Sequence, residues 1–476
     1  MRKPMRRLVI SLVIVAAVVV AVQIAVQSVK EQNRAAEIAR LKESTSIPAY
    51  EKLIADQTGS KPPGPVPNVD PQDAAQPAAF PQDAAESIAA YKRLYDEMLE
   101  KWGGDYLPQE AYDILKKSQD SWTDEEWATM VQIVNERRDL LDQLRALAGH
   151  GGPAYPLDFS KGLAMELPHL ARMRAMARLL RADAIVRAAE GNYSESVEDI
   201  VAGMQLIDAL AQEPVLISQL VRFAMYGIMN DAVQQSFHGG DLSPEQVSQL
   251  LTQLDGADDR EVLAQSMTGE QVMGLQTFSG IRTPDDLREI WGEDPYFNET
   301  TTLGQIAKRP LLLEFYSSPL GRPWLNMDAD AYSEILSRAA AVAELPYYEA
   351  RPELERIEND IDNLPWARGI TRTLVPRLPR TCIAQARHEA TIDLMQMGLL
   401  LEQYQGQHGS YPQSLDAIAP GLGGELPVEP YTGEPYHYEA SDDSFLLYSV
   451  GDNLTDDGGK HDYRTGDIVW RSVPER

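Results

Sequence analysis

One cysteine, Cys382, stands in 476 residues, so no intrachain disulfide can form. In an apolar helical setting a lone cysteine reads as a small core residue. Histidine is scarce as well, seven in all, and a zinc site is poorly supplied. Basic residues fall short of acidic ones, 43 Lys+Arg against 72 Asp+Glu, for a net charge of -29. Phosphate binding needs a basic surface, so nucleic acid is excluded as a partner. The excess negative charge suits a body kept dispersed by self-repulsion. No Gly-x-Ser-x-Gly elbow, phosphate loop or dinucleotide fingerprint is present. His388-Glu389 invites comparison with the helical zinc-protease motif, but Ile392 stands where the second histidine belongs. His169 reads as a helix residue with an ordinary partner.

What is present begins with "MRKPMRR", followed by an uncharged run from Leu8 to Val26. Its nineteen residues, at 1.5 Å each, cover about 28 Å, close to the hydrocarbon thickness of a bilayer. The basic cluster ahead of it predicts a single-span inner-membrane anchor with the N-terminus inside and the body periplasmic or otherwise extracytoplasmic. A weak small-residue pair, Val19 and Ala21, leaves cleavage as the alternative. Later stretches are too short or too polar to span again.

Composition divides the chain into a basic tail and anchor (1–29), a charged helical stalk (30–56), a Pro/Ala-rich linker (57–85), a helical domain (86–380) and a terminal domain (381–476). The linker repeats Pro-Gln-Asp-Ala-Ala and predicts a semi-rigid spacer holding the body off the membrane. The helical domain shows apolar residues at three- and four-residue intervals, with start signals at Thr123 and at Ser243-Pro244. A single tetratricopeptide-like hairpin around Gly191-Asn192 has no second copy, which favours an ordinary helical hairpin. Residues 277–380 predict short helices joined by long loops.

In the terminal domain, Ile383, Ala386, Ala390, Leu394, Met397, Leu401 and Tyr404 mark one face of a long helix. Gly406 and Gly409 end it. The runs "FLLYSV" and "DIVW" predict two short strands. Between them lie Asp452, Asp456, Asp457, Asp462 and Asp467 with several glycines. Two carboxylates held about 6 Å apart repel by roughly 3 kcal/mol at an effective dielectric near 20. A compact loop therefore needs a cation and a splayed one does not. Calcium, which takes six to eight hard oxygens, and a solvated Asp/Gly turn both fit. An EF-hand does not fit, because position twelve counted from Asn453 is Arg464.

The order of these pieces over about residues 385–470 resembles the carboxy-terminal part of the major pseudopilin of bacterial type II secretion. The matching words are "LLLEQYQGQHGSYPQSL", "LPVEPYTGEPYHYE" and "FLLYSVGDN" with its closing "GDIVW". The resemblance implies a long helix with a small antiparallel sheet, and a calcium loop. Carried over to this chain, its ligands are Asp452 or Asn453, Asp457 and Asp467, with carbonyls near Leu447 or Ser449. The chain departs from that family at its start, with no Gly/Ala-Phe junction and no Glu in the apolar run, so filament assembly through an amino-terminal helix is not implied. The remainder resembles uncharacterised membrane-anchored bacterial envelope proteins, which lend no activity.

The expectation is a mostly α protein, a multi-helix body with a C-terminal α+β pseudopilin-like module. It is expected to be a non-enzymatic envelope protein working in protein–protein interaction or assembly, with unknown envelope proteins as partners. One alternative is an enzyme with a site in the helical domain, where Glu355, Glu358 and Asp362 share a helix face. The other is a diverged secretion component.

Overall fold

The computed structural model describes residues 29–30, 32–45, 47–48, 51, 84–102, 107–148, 155–237, 241–257, 260–283, 285–286, 314, 316, 318, 321–365, 368–441, 444–460 and 466–472. The apolar run at 8–26 lies outside them, as does the expected linker apart from its last two residues. Among the described residues no helix is long and apolar enough to cross a membrane.

The chain is mostly helical, with one small antiparallel sheet near its carboxy terminus. After a leading helical segment over 32–44 come α1 (Ala84–Trp102), α2 (Gln109–Leu115), α3 (Asp124–Asn135) and α4 (Arg138–Ala148). Then follow α5 (Pro168–Ala189), α6 (Tyr193–Ala211), α7 (Leu216–Ser236), α8 (Pro244–Leu254) and α9 (Arg260–Gly280). The last group is α10 (Arg322–Ala343), α11 (Tyr347–Asp362), α12 (Gly369–Leu374) and α13 (Leu378–His408).

Local chemistry explains many of the boundaries. At α3, Thr123 Oγ1 accepts from the Glu126 amide (3.2 Å) and Glu126 accepts from the Thr123 amide (3.0 Å), a reciprocal cap that satisfies two end groups. Ser243 and Gln246 do the same for α8, with Pro244 in the first turn. Gly191, with φ 81°, turns α5 into α6 as the hairpin reading expects. Gly409, with φ 80°, closes α13. The expectation of short helices over 277–380 is corrected by α10 and α11, which have 22 and 16 residues. Pro323 sits in the first turn of α10 and Pro352 in the second turn of α11, close enough to the starts that neither breaks its helix.

The sheet runs β1 (His437–Ala440), β2 (Phe445–Ser449) and β3 (Ile468–Arg471), with β2 in the middle. Leu447 pairs with Tyr438 on one side and Trp470 on the other. Phe445, Leu447, Ile468 and Trp470 are buried, and β2 and β3 pack on α13.

The face predicted for α13 is inside: Ala386, Ala390, Leu394, Met397 and Leu401 are buried. Leu378, Cys382, Ile392, Met395 and Leu399 on other faces are buried too, while Ala384, Arg387 and Thr391 form a half-buried stripe. The helix lies between the sheet on one side and α7, α8 and α11 on the others. One apolar cluster accordingly joins Tyr91 of α1, Leu180 of α5 and Met229 of α7 to Leu447 and Trp470 of the sheet. The packing has no break at residue 380.

The charged segment expected as a helical stalk is helical over 32–44 and docked on the body. Arg34, only 8% exposed, reaches Asn326 and Asp330 on α10, and Ile38 and Leu41 pack on two core clusters.

Gly398 lets α13 approach the sheet closely, since an added Cβ would stand 2.3 Å from the Trp470 ring. Helix propensity favours Ala over Gly by about 1 kcal/mol, whereas overpacking a filled core costs about 1–3 kcal/mol. Gly398→Ala is therefore expected to lower stability on denaturant melting. A neutral or stabilised variant would show slack between helix and sheet.

Candidate functional site

The acidic loop leaves β2 at Ser449 and returns at Ile468, its pairing partner. Its two ends approach so closely that a Cβ on Gly451, whose φ is 68°, would lie 2.2 Å from the Gly466 carbonyl oxygen. Only glycine fits there. Leu454, with φ 55°, is the non-glycine residue held in the left-handed region among the described residues.

Asp467 is the inward anchor of the loop. It is fully buried, and its two oxygens accept from the Gly459 amide (2.7 Å) and the Asp457 amide (3.4 Å). Burial pushes its carboxyl above the usual range, the two amides pull it back, and the charges of Asp457 and Asp456 push it up again. Asp457 accepts from Asn453 Nδ2 (2.9 Å). Asn453, Asp457 and Asp467 thus form one hydrogen-bonded chain. Asp452 stands apart: its Oδ1 is out of water with no hydrogen-bond partner, and its charge bears on Tyr347 and Tyr431 instead. Asp456 is exposed and accepts from the Tyr448 hydroxyl (3.0 Å) and the Gly458 amide (2.9 Å), which hold its carboxyl below the usual range. Asp462 lies outside the described residues. Among those described, no group of three or more His, Cys, Asp or Glu side chains is placed to hold a metal.

Beside this loop lies a carboxylate that sequence reasoning passed over. Glu429 is 1% exposed and accepts from the Ser449 hydroxyl (2.5 Å), the Tyr431 and Thr432 amides (3.1 and 2.8 Å) and Thr432 Oγ1 (2.7 Å). Four donors replace its lost hydration. It staples the Thr432-Gly433 turn to β2, and the Glu-x-x-Thr-Gly spacing was the available signal.

The helical body holds a second concentration of charge. Asp183 and Asp199 are fully buried among three arginines. Asp183 pairs with Arg138 (2.7 Å), Arg145 (3.0 Å) and Arg187 (3.1 Å). Arg145 also pairs with Asp199. Burial, then the neighbouring Asp183 charge, drives the Asp199 carboxyl well above its usual range against the pull of Arg145.

The two histidines singled out from sequence are both core residues. His169 Nε2 lies 2.9 Å from Glu213 Oε1 beneath the stacked ring of Tyr155, and Ser218 donates to the other oxygen of Glu213 (2.5 Å). His388 stacks on Phe223 and pairs through Nε2 with the Ala257 carbonyl (2.8 Å). Its neighbour Glu389 takes a two-point pair from Arg260 (2.9 and 2.8 Å). Cys382, Gln385 and Glu389 line a crevice of about 10 Å³, room for one water. Glu355, Glu358 and Asp362 are exposed on α11, and Glu355 pairs with Arg351 (3.0 Å). Glu270 on α9 carried no sequence signal, yet burial pushes its carboxyl up to about 7.

No protein-family model, curated protein or solved structure matches the chain.

His388 makes a test of the buried core. Burial and the Arg222 charge hold its imidazole down to about 3, against about 6.5 for a free histidine. The unfolded chain then binds the extra proton, so this contribution is complete above pH 6.5 and is lost as the pH falls toward 3, by up to about 1.4 kcal/mol per pH unit. His388→Gln is expected to flatten the decline of unfolding free energy between pH 6.5 and 4. An unchanged slope would place the imidazole in water.

Proposed function

We propose that the chain is a non-enzymatic, membrane-anchored envelope protein that works by binding other proteins. In this reading residues 8–26 cross the inner membrane with the N-terminus inside, and the body lies outside it. Residues 381–476 form its pseudopilin-like module. The observation that carries the reading is the sharing of α13, which the body and the sheet bury together. Such packing makes one rigid platform on an anchor. The buried acids and bases support the same reading, because Asp183, Asp199, Glu389 and Glu429 are engaged with partners that hold elements together. Exposed apolar residues, Val428 at 52%, Ile217 at 48% and Leu345 at 41%, offer contact points on the outside.

In a two-membrane bacterial host the full chain is expected to stay with the inner membrane through an alkaline wash. A reporter active only outside the cytoplasm, joined after Arg476, is expected to be active. Photo-crosslinkers placed at Val428, Ile217 and Leu345 are expected to trap discrete protein adducts. Absence of adducts at all three positions would count against the binding role.

The same reading gives calcium to the acidic loop. Asn453, Asp457 and Asp467 are the hard oxygen donors that would hold the ion, Asp467 after giving up the Gly459 and Asp457 amides its oxygens accept from, whereas Asp452, whose charge bears on Tyr347 and Tyr431, stands apart. Calcium would supply positive charge against the mutual repulsion of the loop carboxylates. Calcium at about 1 mM, the weak end for extracellular sites, is expected to raise the Tm of the full chain. Asp457→Ala should abolish the rise and Asp452→Ala should keep it. No rise in the parent chain overturns the assignment.

A further inference from the structure

The docked segment 32–44 changes what the Pro-rich linker can do. Arg34 donates to Asn326 Oδ1 (2.8 Å), to the Asn326 carbonyl (2.9 Å) and to Asp330 Oδ1 (3.1 Å). One turn on, Glu37 accepts from the Ser333 hydroxyl (2.7 Å). Contacts that advance together along both elements mean that the segment and α10 run in the same direction. Ile38 and Leu41 are packed against apolar clusters, and Ile47 is fully buried. The whole attachment precedes the linker, so linker length does not set the distance between body and anchor.

The parallel direction also says which end of the body is nearest the apolar run. Arg34 stands eight positions after Val26, a reach of about 12 Å as a helix or at most about 28 Å fully stretched. Upstream of Arg34 the segment leads toward the start of α10. There Trp324 is 39% exposed and Met327 44%, and Val29 at the head of the segment is 55% exposed. Tryptophan with its apolar body and polar N–H settles at the boundary between lipid and water. Lys30 is exposed at the same end, where an ammonium can meet lipid phosphates. In a chain of net charge -29 the acidic body would not seek an anionic surface unaided. The short tether holds it there.

Resting on the reading of residues 8–26 as a membrane anchor, we propose that the α10 end of the body, with Trp324, Met327 and Val29, lies against the lipid surface. Segment 32–44 acts as the clamp.

The full chain is reconstituted in lipid vesicles carrying nitroxide lipids, in a Cys382→Ala background. A fluorophore is attached through Met327→Cys or, as a control on α3, through Glu125→Cys. The label at 327 is expected to be quenched several-fold more than the label at 125. Lengthening the linker with a flexible Gly-Ser insert should leave that quenching unchanged, since the insert lies beyond the clamp. Arg34→Glu, which faces Asp330 with like charge, should relieve it while the chain still floats with the vesicles and melts cooperatively. Equal quenching at 327 and 125 in floating vesicles, or quenching lost on lengthening the linker, overturns the proposal and leaves the anchor standing. A chain that does not float with vesicles overturns the anchor and the proposal together.

Discussion

A helix buried along most of its length needs partners for the polar groups it carries inward, and α13 imposes that condition on the rest of the molecule. Its 31 residues include Gln385, His388, Glu389, Asp393 and Glu402, all buried. Each polar side chain left unpaired in such a place costs several kcal/mol. The neighbours answer with specific donors and acceptors. Arg260 of α9 clasps Glu389, the Ala257 carbonyl beyond α8 takes His388, and Tyr436 donates to Asp393 (2.5 Å). Tyr411, just past the helix end, donates to Glu402 (3.1 Å). Shifting α13 by a single turn would break all of these pairs together. They set its register as much as the apolar contacts set its depth.

The same logic explains how a chain with so large an acidic excess keeps a body together. Repulsion between exposed carboxylates is weakened by water and salt, while the buried carboxylates are given partners. Asp183 and Asp199 sit among three arginines drawn from α4 and α5, which ties these two helices to α6. Removing one partner of such a group leaves a charge in a low-dielectric setting, a cost of about 3–5 kcal/mol. Glu429 is treated differently, with four neutral donors in place of a cation. Through Ser449, whose hydroxyl also accepts from the Gly451 amide, it is tied to the start of the acidic loop.

Much of the fold is legible in the sequence. Local signals survive tertiary context when they concern one element: the cap at Thr123, the turn at Gly191 and the αL stop at Gly409 are each decided within a few residues. The helix-then-sheet order of the terminal region was legible for the same reason. The candidate loop was legible as a loop, with its glycines where the backbone needs them. Which of its carboxylates face one another was not. Asp452 and Asp457 are five residues apart, and a loop held by Gly451, Leu454 and Gly458 in left-handed conformations can turn each of them either way.

By itself the sequence determined the helical class, the position of α13, the strand pair β2 and β3, and the acidic excess. These follow from periodicity and composition, which are properties of neighbouring residues. Only the tertiary structure decided that α13 is packed on by the sheet and by α7, α8 and α11 at once, that Asp467 rather than Asp452 anchors the acidic loop, and that the charged helical stalk is pinned to α10 by Arg34. Each of these depends on contacts between residues far apart in the chain, such as Arg34 with Asn326 or Gly398 with Trp470. A single amphipathic pattern tells which residues seek burial, but says nothing of how many neighbours will arrive to bury them.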